Sequence, residues 1–434
     1  MGRKSASVYP ASQSDNELCT NFNNFFIDKI KAIRLEIDAI NSVDTYSDNY
    51  INFCPATVAN SIDRFNPISN EEAFLIMKKV KKNYCSRDPI DFSKIFDYCE
   101  GLSPLVAAII NSSFNEGVFP SNEKCAIVRP LLKKTSLDQN ILNNYRPVSN
   151  LSYLSKVIER AILDQLLPYL ESNNIIPNLQ SAFRQYHSTE TALCKVYNDL
   201  ISNLCNGLVS ILILLDLSAA FDTIDYDLLI EDLIAFGITG LALSLIKSYL
   251  MYRKQIVEIG KSSSDSEFLH FGVPQGSILG PILFLVYASS LSNGFLSHNV
   301  DFHLYADESQ IYLPIRNIPD AKEKISALLS DIKVWMIKRK LKLNEGKTEV
   351  IFINSSTKTN LQENFGNFSF GETDISPSSK VRDIGVVFDS ALRLDKHIGT
   401  IVKECNFHLR NISLIKKHLD KTTLTILIHA LISS

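Results

Sequence analysis

The sequence predicts an α+β fold, with helices and antiparallel strands in one chain. Three stretches carry this reading. "VSILILLD" (209–216) is a continuous run of aliphatic and β-branched residues, the pattern of a strand covered on both faces. "FHLYADESQIYLPI" (302–315) holds two β-type runs around Asp307 and Glu308, which predicts a hairpin with the carboxylates at its tip. "ELCTNFNNFFIDKIKAIRLEI" (17–37) spaces Leu18, Phe22, Phe25, Phe26, Ile30, Ile33 and Ile37 at helical intervals.

The remaining elements follow in order. Past the first helix, whose greasy face needs a partner, the polar stretch 41–60 reads as a linker. A second helix is expected over Asn70 to about Val80. "SPLVAAIINSSFNEGVFP" reads as a helix ending near Gly117 and Pro120. "CAIVRPLLKK" reads as a short strand that leaves basic residues at its end. After "VSILILLD", Leu228, Leu229, Leu233 and Phe236 mark a helix before Gly237. "KQIVEIG" and "SEFLHFGVPQG" read as strands joined by a Ser-rich loop. "GSILGPILFLVYASSL" reads as a buried helix. After the hairpin come a long amphipathic helix in "AKEKISALLSDIKVWMIKRKLKLN" and a strand, "TEVIFI".

The chain has 434 residues, enough for two or three domains, and at 45% hydrophobic and 21% charged it has the composition of a soluble globular protein. A net charge of −3 excludes a uniformly basic nucleic-acid coat. Charge is patchy: Lys124–Arg160 holds seven Lys/Arg against two Asp/Glu, and Lys396–Lys421 holds six against two. A phosphate backbone would feel such local surfaces, although solvated helix faces explain each patch equally well. The eight cysteines form no CxxC pair, and Cys405 with His408 gives a single C-x-x-H, so a zinc ribbon is excluded and free thiols in a reducing compartment are expected. No apolar run reaches the roughly 18 residues of a membrane span. "MGRKSA" places Ala6 where a myristoylation signal needs Ser or Thr, and neither a secretory signal nor an internal repeat is evident. The expected location is intracellular, in cytoplasm and nucleus.

Asp216 ends the apolar strand and Asp307 sits on the predicted hairpin, so the two would meet if those strands pair side by side. Carboxylates converging on rigid elements suit Mg²⁺, which takes hard oxygen ligands, and without a cation they would raise one another's pKa. Each residue also has a plain reading. "DE" on a turn is commonly a solvated tip, and Asp216 could cap a helix begun by "DLSAAFD".

The motifs in series go further. "LLDLSAAFDTIDYDLL", "GVPQGSILGPILF", "LYADESQIY" and "LKLNEGKTEVIF", in this order, resemble the reverse transcriptases of LINE-type, non-LTR retrotransposons, most closely the jockey-like group. That family's series is an Asp-x-x-x-Ala-Phe-Asp strand end, a Gly-x-Pro-Gln-Gly turn, a Tyr/Phe-Ala-Asp-Asp hairpin and a Lys-Thr-Glu segment. Upstream, "NYRPVSNLSYLSKVIERAI" and "LQSAFRQYHSTETAL" resemble its fingers motifs. Downstream, "KVRDIGVVFDSALRLDKHI" resembles its stretch before the thumb. The resemblance covers about Lys81 to Ser434.

The resemblance implies an RNA-directed DNA polymerase with roles residue by residue. Asp216 and Asp307 would ligate two Mg²⁺ ions (or Mn²⁺), assisted by the Leu217 carbonyl and by Glu308. Phe221 would be the steric gate against a 2′-hydroxyl; its plain reading is core packing. Pro274, Gln275 and Gly276 would line the nucleotide and template pocket; their plain reading is a turn. Arg146, helped by Arg184, would hold the triphosphate, or either is a surface arginine. Lys347 would sit near the pyrophosphate leaving group as a proton donor, or is one exposed lysine among many. Asp222 would support the strand-end turn. Glu308 departs from the family's Asp-Asp, which lengthens that side chain by one methylene.

The implied architecture is a right-hand polymerase. An amino-terminal helical extension and linker (1–60) precedes helical and stranded fingers (61–206). An antiparallel-sheet palm (207–395) follows, then the start of a thumb (396–434). That thumb is expected to be truncated, since "TLTILIHALISS" ends without a cap, and the family's usual amino-terminal endonuclease has no matching segment. Implied partners are an RNA template, a DNA primer, deoxynucleoside triphosphates and an element RNA ribonucleoprotein, with no membrane. Two other readings stay open: a catalytically impaired remnant that at most binds nucleic acid, and an unrelated α/β metal phosphohydrolase, which leaves the Pro-Gln-Gly and fingers motifs unexplained.

Overall fold

The computed structural model describes residues 9–10, 14–43, 58, 60–81, 85–88, 97–354, 365–370 and 373–433. Most of the expected linker, with Cys54 and the "MGRKSA" start, lies outside them. The fold is α+β, and the chain divides into two compact units interleaved in sequence. One comprises Met1–Gln185, Leu217–His298 and Ser330–Asn344; the other comprises Tyr186–Asp216, Asn299–Leu329 and Glu345–Ser434.

In the first unit, the strand Cys125–Leu132 pairs antiparallel with Tyr145–Asn150 and parallel with Lys254–Ile259. The amino-terminal helix Asp15–Val43 supplies this sheet's partner. Leu18, Cys19, Phe22 and Phe26 bury against Val128, Tyr145, Val257 and Ile259. Further along, Ile33 and Ile37 pack on Ile337, and Arg34 donates to Asp225 at 2.5 Å. The greasy face read from the sequence is thus covered, and the helix is integral to this unit. Asn70–Lys79 and Cys99–Glu116 form helices near the expected positions, the first closed by a Ser69/Glu72 capping box.

The expected strand over "SEFLHFGVPQG" shrinks to Glu267–Phe268. The cause is local. Gly272 has φ +79° and Pro274 has no N–H, so neither suits a regular ladder. The segment docks instead by single backbone bonds: Val273 N–H to the Phe221 carbonyl (2.8 Å) and Gly272 N–H to the Ile224 carbonyl (2.9 Å).

In the second unit, four antiparallel strands lie in the order Glu349–Ile353, Val209–Leu215, Glu308–Ile315, Asp301–Tyr305. The central strand is buried from Ser210 onward, as its unbroken apolar run requires. The helix Thr189–Cys205 and the hairpin formed by Lys380–Asp383 and Val386–Asp389 cover one face. There Leu193, Val196, Leu200, Leu212, Leu214, Tyr312, Ile351, Val381 and Phe388 form one core. The helices Asp395–Ile415 and Lys421–Ile428 follow.

Among the described residues, all seven cysteines are free and no helix is long and apolar enough to cross a membrane. Phe22 tests the helix-to-sheet seam. It is fully buried, with ring centroids 4.9 Å from Tyr145 and 5.7 Å from Phe26. Phe22→Ala is expected to destabilise the first unit by about 3–5 kcal/mol in chemical denaturation. A change within about 0.5 kcal/mol would show that the helix does not hold this unit together.

Candidate active site

Strand register builds the acidic site of the second unit. Leu215 pairs with Ser309, so Asp216, the next residue, leaves the central strand beside the start of the hairpin's return strand. The hairpin turns on Ala306 and Asp307, and Tyr305 pairs with Glu308. The tip is therefore Ala306–Asp307, while Glu308 belongs to the strand; this refines the expectation of both carboxylates at the tip. Ala306 has φ +55°, a left-handed conformation strained for a non-glycine residue.

Asp216 is 5% exposed. Burial pushes the Asp307 carboxyl above its usual range, and the charge of Asp216 adds to this. Glu308 is raised by burial and by the charges of Asp307 and Asp216. Lys347, from the single turn Glu345–Lys347, places Nζ 2.9 Å from Asp216 Oδ2. Partial burial works against its ammonium, but the bond to Asp216 and the charges of the three carboxylates outweigh that and raise its pKa. Next along the same strand face, Gln310 Nε2 donates to Asp383 Oδ1 at 2.9 Å. Burial pushes Asp383 up to about 7, and Glu308 adds to the rise.

Three carboxylates form a hard-oxygen donor set, and in chemistry they fit a divalent cation. The arrangement is balanced differently: among the described residues no three His, Cys, Asp or Glu are grouped to hold a metal ion, and Lys347 supplies the compensating charge.

A second constellation lies in the first unit. Phe221 lies against Phe284 with the rings tilted and 4.8 Å between centroids, and meets Phe183 edge-on at 6.4 Å, so it is part of an aromatic cluster and only partly exposed. The Gln275 carbonyl accepts the Ser149 N–H at 2.8 Å, and Gln275 Nε2 donates to Asp222 Oδ2 at 2.6 Å. Gly276 has φ +116°, and a Cβ there would stand 2.5 Å from the Ser149 carbonyl oxygen, so only glycine allows this approach. Burial pushes Asp222 up to about 7, opposed by the Gln275 bond and the Lys29 charge. Asp222 is one of the residues, with Lys29, Tyr145, Ser149, Pro274 and Gln275 among others, that line a cavity of about 80 Å³.

The expected residues thus gather in two groups. Asp216, Asp307, Glu308 and Lys347 come together in one unit, and Phe221, Pro274, Gln275 and Gly276 in the other. Leu217 begins a two-residue strand and pairs with Leu343. Arg146 is exposed on the strand that carries Ser149. Arg184 directs Nη1 at the carbonyls of Pro177, Asn178 and Gln180, the loop that precedes it. Asp216 caps no helix; Asp225 caps Tyr226–Ala235 by accepting from Asp227 and Leu228.

The sequence reading missed Glu159. Fully buried, it accepts the N–H groups of Ile278 (2.7 Å) and Leu279 (3.0 Å) and so fixes the start of the helix Gly280–Ala288 after the Pro-Gln-Gly turn. Its signal was a charge on the apolar stripe of Ile162, Leu163 and Leu166.

A family model, "Reverse transcriptase (RNA-dependent DNA polymerase)", matches residues 132–388. The chain belongs to the reverse transcriptase family. It is similar to the "RNA-directed DNA polymerase from mobile element jockey" of Drosophila funebris, 27% identical over 344 residues, covering 77% of this chain and 37% of that protein. The protein of the same name from Drosophila melanogaster is 27% identical over 332 residues, covering 75% of this chain and 36% of that one. The reverse transcriptase chain thus spans a little over a third of the length of these relatives. Membership implies divalent-metal dependence in general.

Lys347 gives a pH test. Asp307 and Glu308 have raised pKa values, so in this range the folded protein binds more protons than the unfolded chain and loses stability as pH rises above about 4. Lys347 opposes both shifts. Lys347→Met is therefore expected to steepen that loss, with a destabilisation that grows with pH and is smallest below about pH 4, where both carboxyls are neutral. Thermal unfolding across a pH series measures it; a destabilisation constant with pH would show that Lys347 does not act through these charges.

Proposed function

We propose that the chain is an RNA-directed DNA polymerase domain of a non-LTR retrotransposon, extending a DNA primer on an RNA template with deoxynucleoside triphosphates. The observation that carries this is the antiparallel register that sets Asp216 beside the Asp307–Glu308 hairpin, with Lys347 on Asp216. In the reaction the primer 3′-hydroxyl bonds to the α-phosphorus and pyrophosphate leaves. Asp216, Asp307 and the Leu217 carbonyl would hold two Mg²⁺, or Mn²⁺, with Glu308 beside them. Those ions, when bound, supply activation of the hydroxyl and neutralisation of the phosphates. Lys347 would offer a proton or a charge to the leaving pyrophosphate. Arg146 meets the triphosphate, with Arg184 bracing the loop behind Phe183. Phe221 gates the sugar, and Pro274, Gln275 and Gly276 line the nucleotide pocket.

The architecture in this reading is a right hand with an amino-terminal extension (1–60), fingers (61–206), palm (207–395) and the start of a thumb (396–434). The protein acts inside the cell, in cytoplasm and nucleus, within an element RNA ribonucleoprotein. A second reading, a catalytically impaired remnant that at most binds nucleic acid, is favoured by Glu308 alone.

Single-nucleotide primer extension on an RNA template with Mg²⁺ tests the first reading. Asp307→Asn should abolish extension. Glu308→Asp should raise it about ten- to a hundredfold, because a carboxylate about 1 Å out of place costs about that much. Background extension by the parent and by Glu308→Asp alike would favour the remnant.

Primer–template binding gives an independent measure. Neutralising several of Lys396, Lys403, Arg410, Lys416 and Lys417 should flatten the slope of log affinity against log salt, by about one unit for each phosphate left without its cationic partner. A slope equal to the parent's would show that these residues face solvent only.

A further inference from the structure

We propose that Asp222 is a positioning residue for the incoming nucleotide: it holds the Gln275 amide by its NH₂ group and leaves the Gln275 carbonyl oxygen as the acceptor offered to the substrate. This rests on the reading that Gln275 lines the nucleotide pocket.

The chemistry is one-sided. A glutamine amide has a donor end and an acceptor end of nearly equal size, and a free side chain presents either. An ionised carboxylate only accepts, so Asp222 selects the NH₂ end; the observed contact is Gln275 Nε2 to Asp222 Oδ2, 2.6 Å. Burial disfavours the charged form and pushes this carboxyl up to about 7, opposed by the Gln275 bond and by the Lys29 ammonium on the amino-terminal helix, so the selection of the NH₂ end is complete only above about pH 7. The amide carbonyl is thereby turned away from Asp222 and fixed as an acceptor for a hydroxyl or N–H of the nucleotide.

The backbone holds both partners for this task. Gln275 is pinned through its own carbonyl by Ser149, and Gly276 permits that approach. The Phe221 and Ile224 carbonyls on either side of Asp222 accept from Val273 and Gly272. Asp222 follows Phe221 directly, so the residue that would meet the sugar and the residue that orients Gln275 belong to one rigid turn. A Gly272 Cβ would come 2.5 Å from the Asp222 carbonyl oxygen, which shows how closely the two segments are seated.

The test is nucleotide binding, which does not require turnover. The full chain is assembled on an RNA template with a dideoxy-terminated DNA primer and Mg²⁺, and the Kd of the next correct deoxynucleoside triphosphate is read from the stability of the ternary complex. Asp222→Ala and Gln275→Ala should each raise Kd about tenfold, the scale of one well-made hydrogen bond. Asp222→Asn, which keeps an acceptor, should raise it less. The double variant Asp222→Ala/Gln275→Ala should be no weaker than Gln275→Ala alone, because Asp222 acts through Gln275.

Multiplied effects, about a hundredfold in the double variant, would mean that Asp222 only supports the fold and would overturn the proposal. A parent-like Kd for Asp222→Ala beside a weakened Gln275→Ala would overturn it while leaving the pocket reading intact. A parent-like Kd for Gln275→Ala, or a parent that forms no ternary complex, would remove the pocket reading and this inference together. Should Asp222→Ala fail to fold, the same cycle run with Asp222→Asn decides the matter.

Discussion

Like charges held together against their own repulsion constrain the whole second unit. Neighbouring strands lie about 4.8 Å apart, so a carboxylate leaving one strand feels a carboxylate on the next. Burial first, and that repulsion after it, raise the pKa values of Asp307 and Glu308. Solvent alone would let such groups move apart. Here the central strand, buried from Ser210 to Leu215, and the apolar packing of Leu212, Leu214, Tyr312 and Ile351 fix the register and leave the acids no route away. Lys347 relieves part of the tension on the solvent side, and the Gln310–Asp383 pair continues the polar column on the covered face.

The first unit solves a different problem, the placing of an irregular segment without a ladder. The residues after Phe268 give up strand geometry and are held point by point: Gly272 and Val273 on the carbonyls of Ile224 and Phe221, Gln275 on Ser149, Ile278 and Leu279 on Glu159. Each bond joins a motif to one distant in sequence. The desolvation of a wholly buried Glu159 raises its pKa, opposed by the Arg253 charge, the two N–H groups and Ser155. That balance favours the docked turn, because without the turn a buried carboxylate would have fewer donors.

What the sequence made legible follows from this contrast. Periodicity and apolar density marked the helix Asp15–Val43, the strand Val209–Leu215 and the hairpin, because each is specified by its own residues. Partners were not legible. Nothing in "ELCTNFNNFF" names Tyr145 and Val257 as the surface that Phe22 needs. "SEFLHFGVPQG" looked extended because Phe and Leu favour strands, while Gly272 and Pro274 decided the backbone. Asp216 looked like a helix cap because a helix does follow, but Ala219 takes φ +52° and the helix waits for Asp225. The acidic group was legible because motif order marked it; Glu159 and Asp383 were not, since their roles exist only across long sequence separations.

Residues 307 and 308 differ in how their carboxylates are aimed. Asp307 lies in the turn, directly after the left-handed Ala306. Residue 308 is locked by the Tyr305 pairing, so its Cα position is given by the ladder and only side-chain length can vary. A Glu there keeps the charge that raises Asp383 and that Lys347 feels, while moving the oxygens by roughly 1–1.5 Å, one methylene's reach. Either carboxylate brings the same charge to the cluster, and the two differ in reach alone. A site can in this way retain its fold, its perturbed carboxyls and its compensating lysine while the reach of one carboxylate changes by a single methylene group.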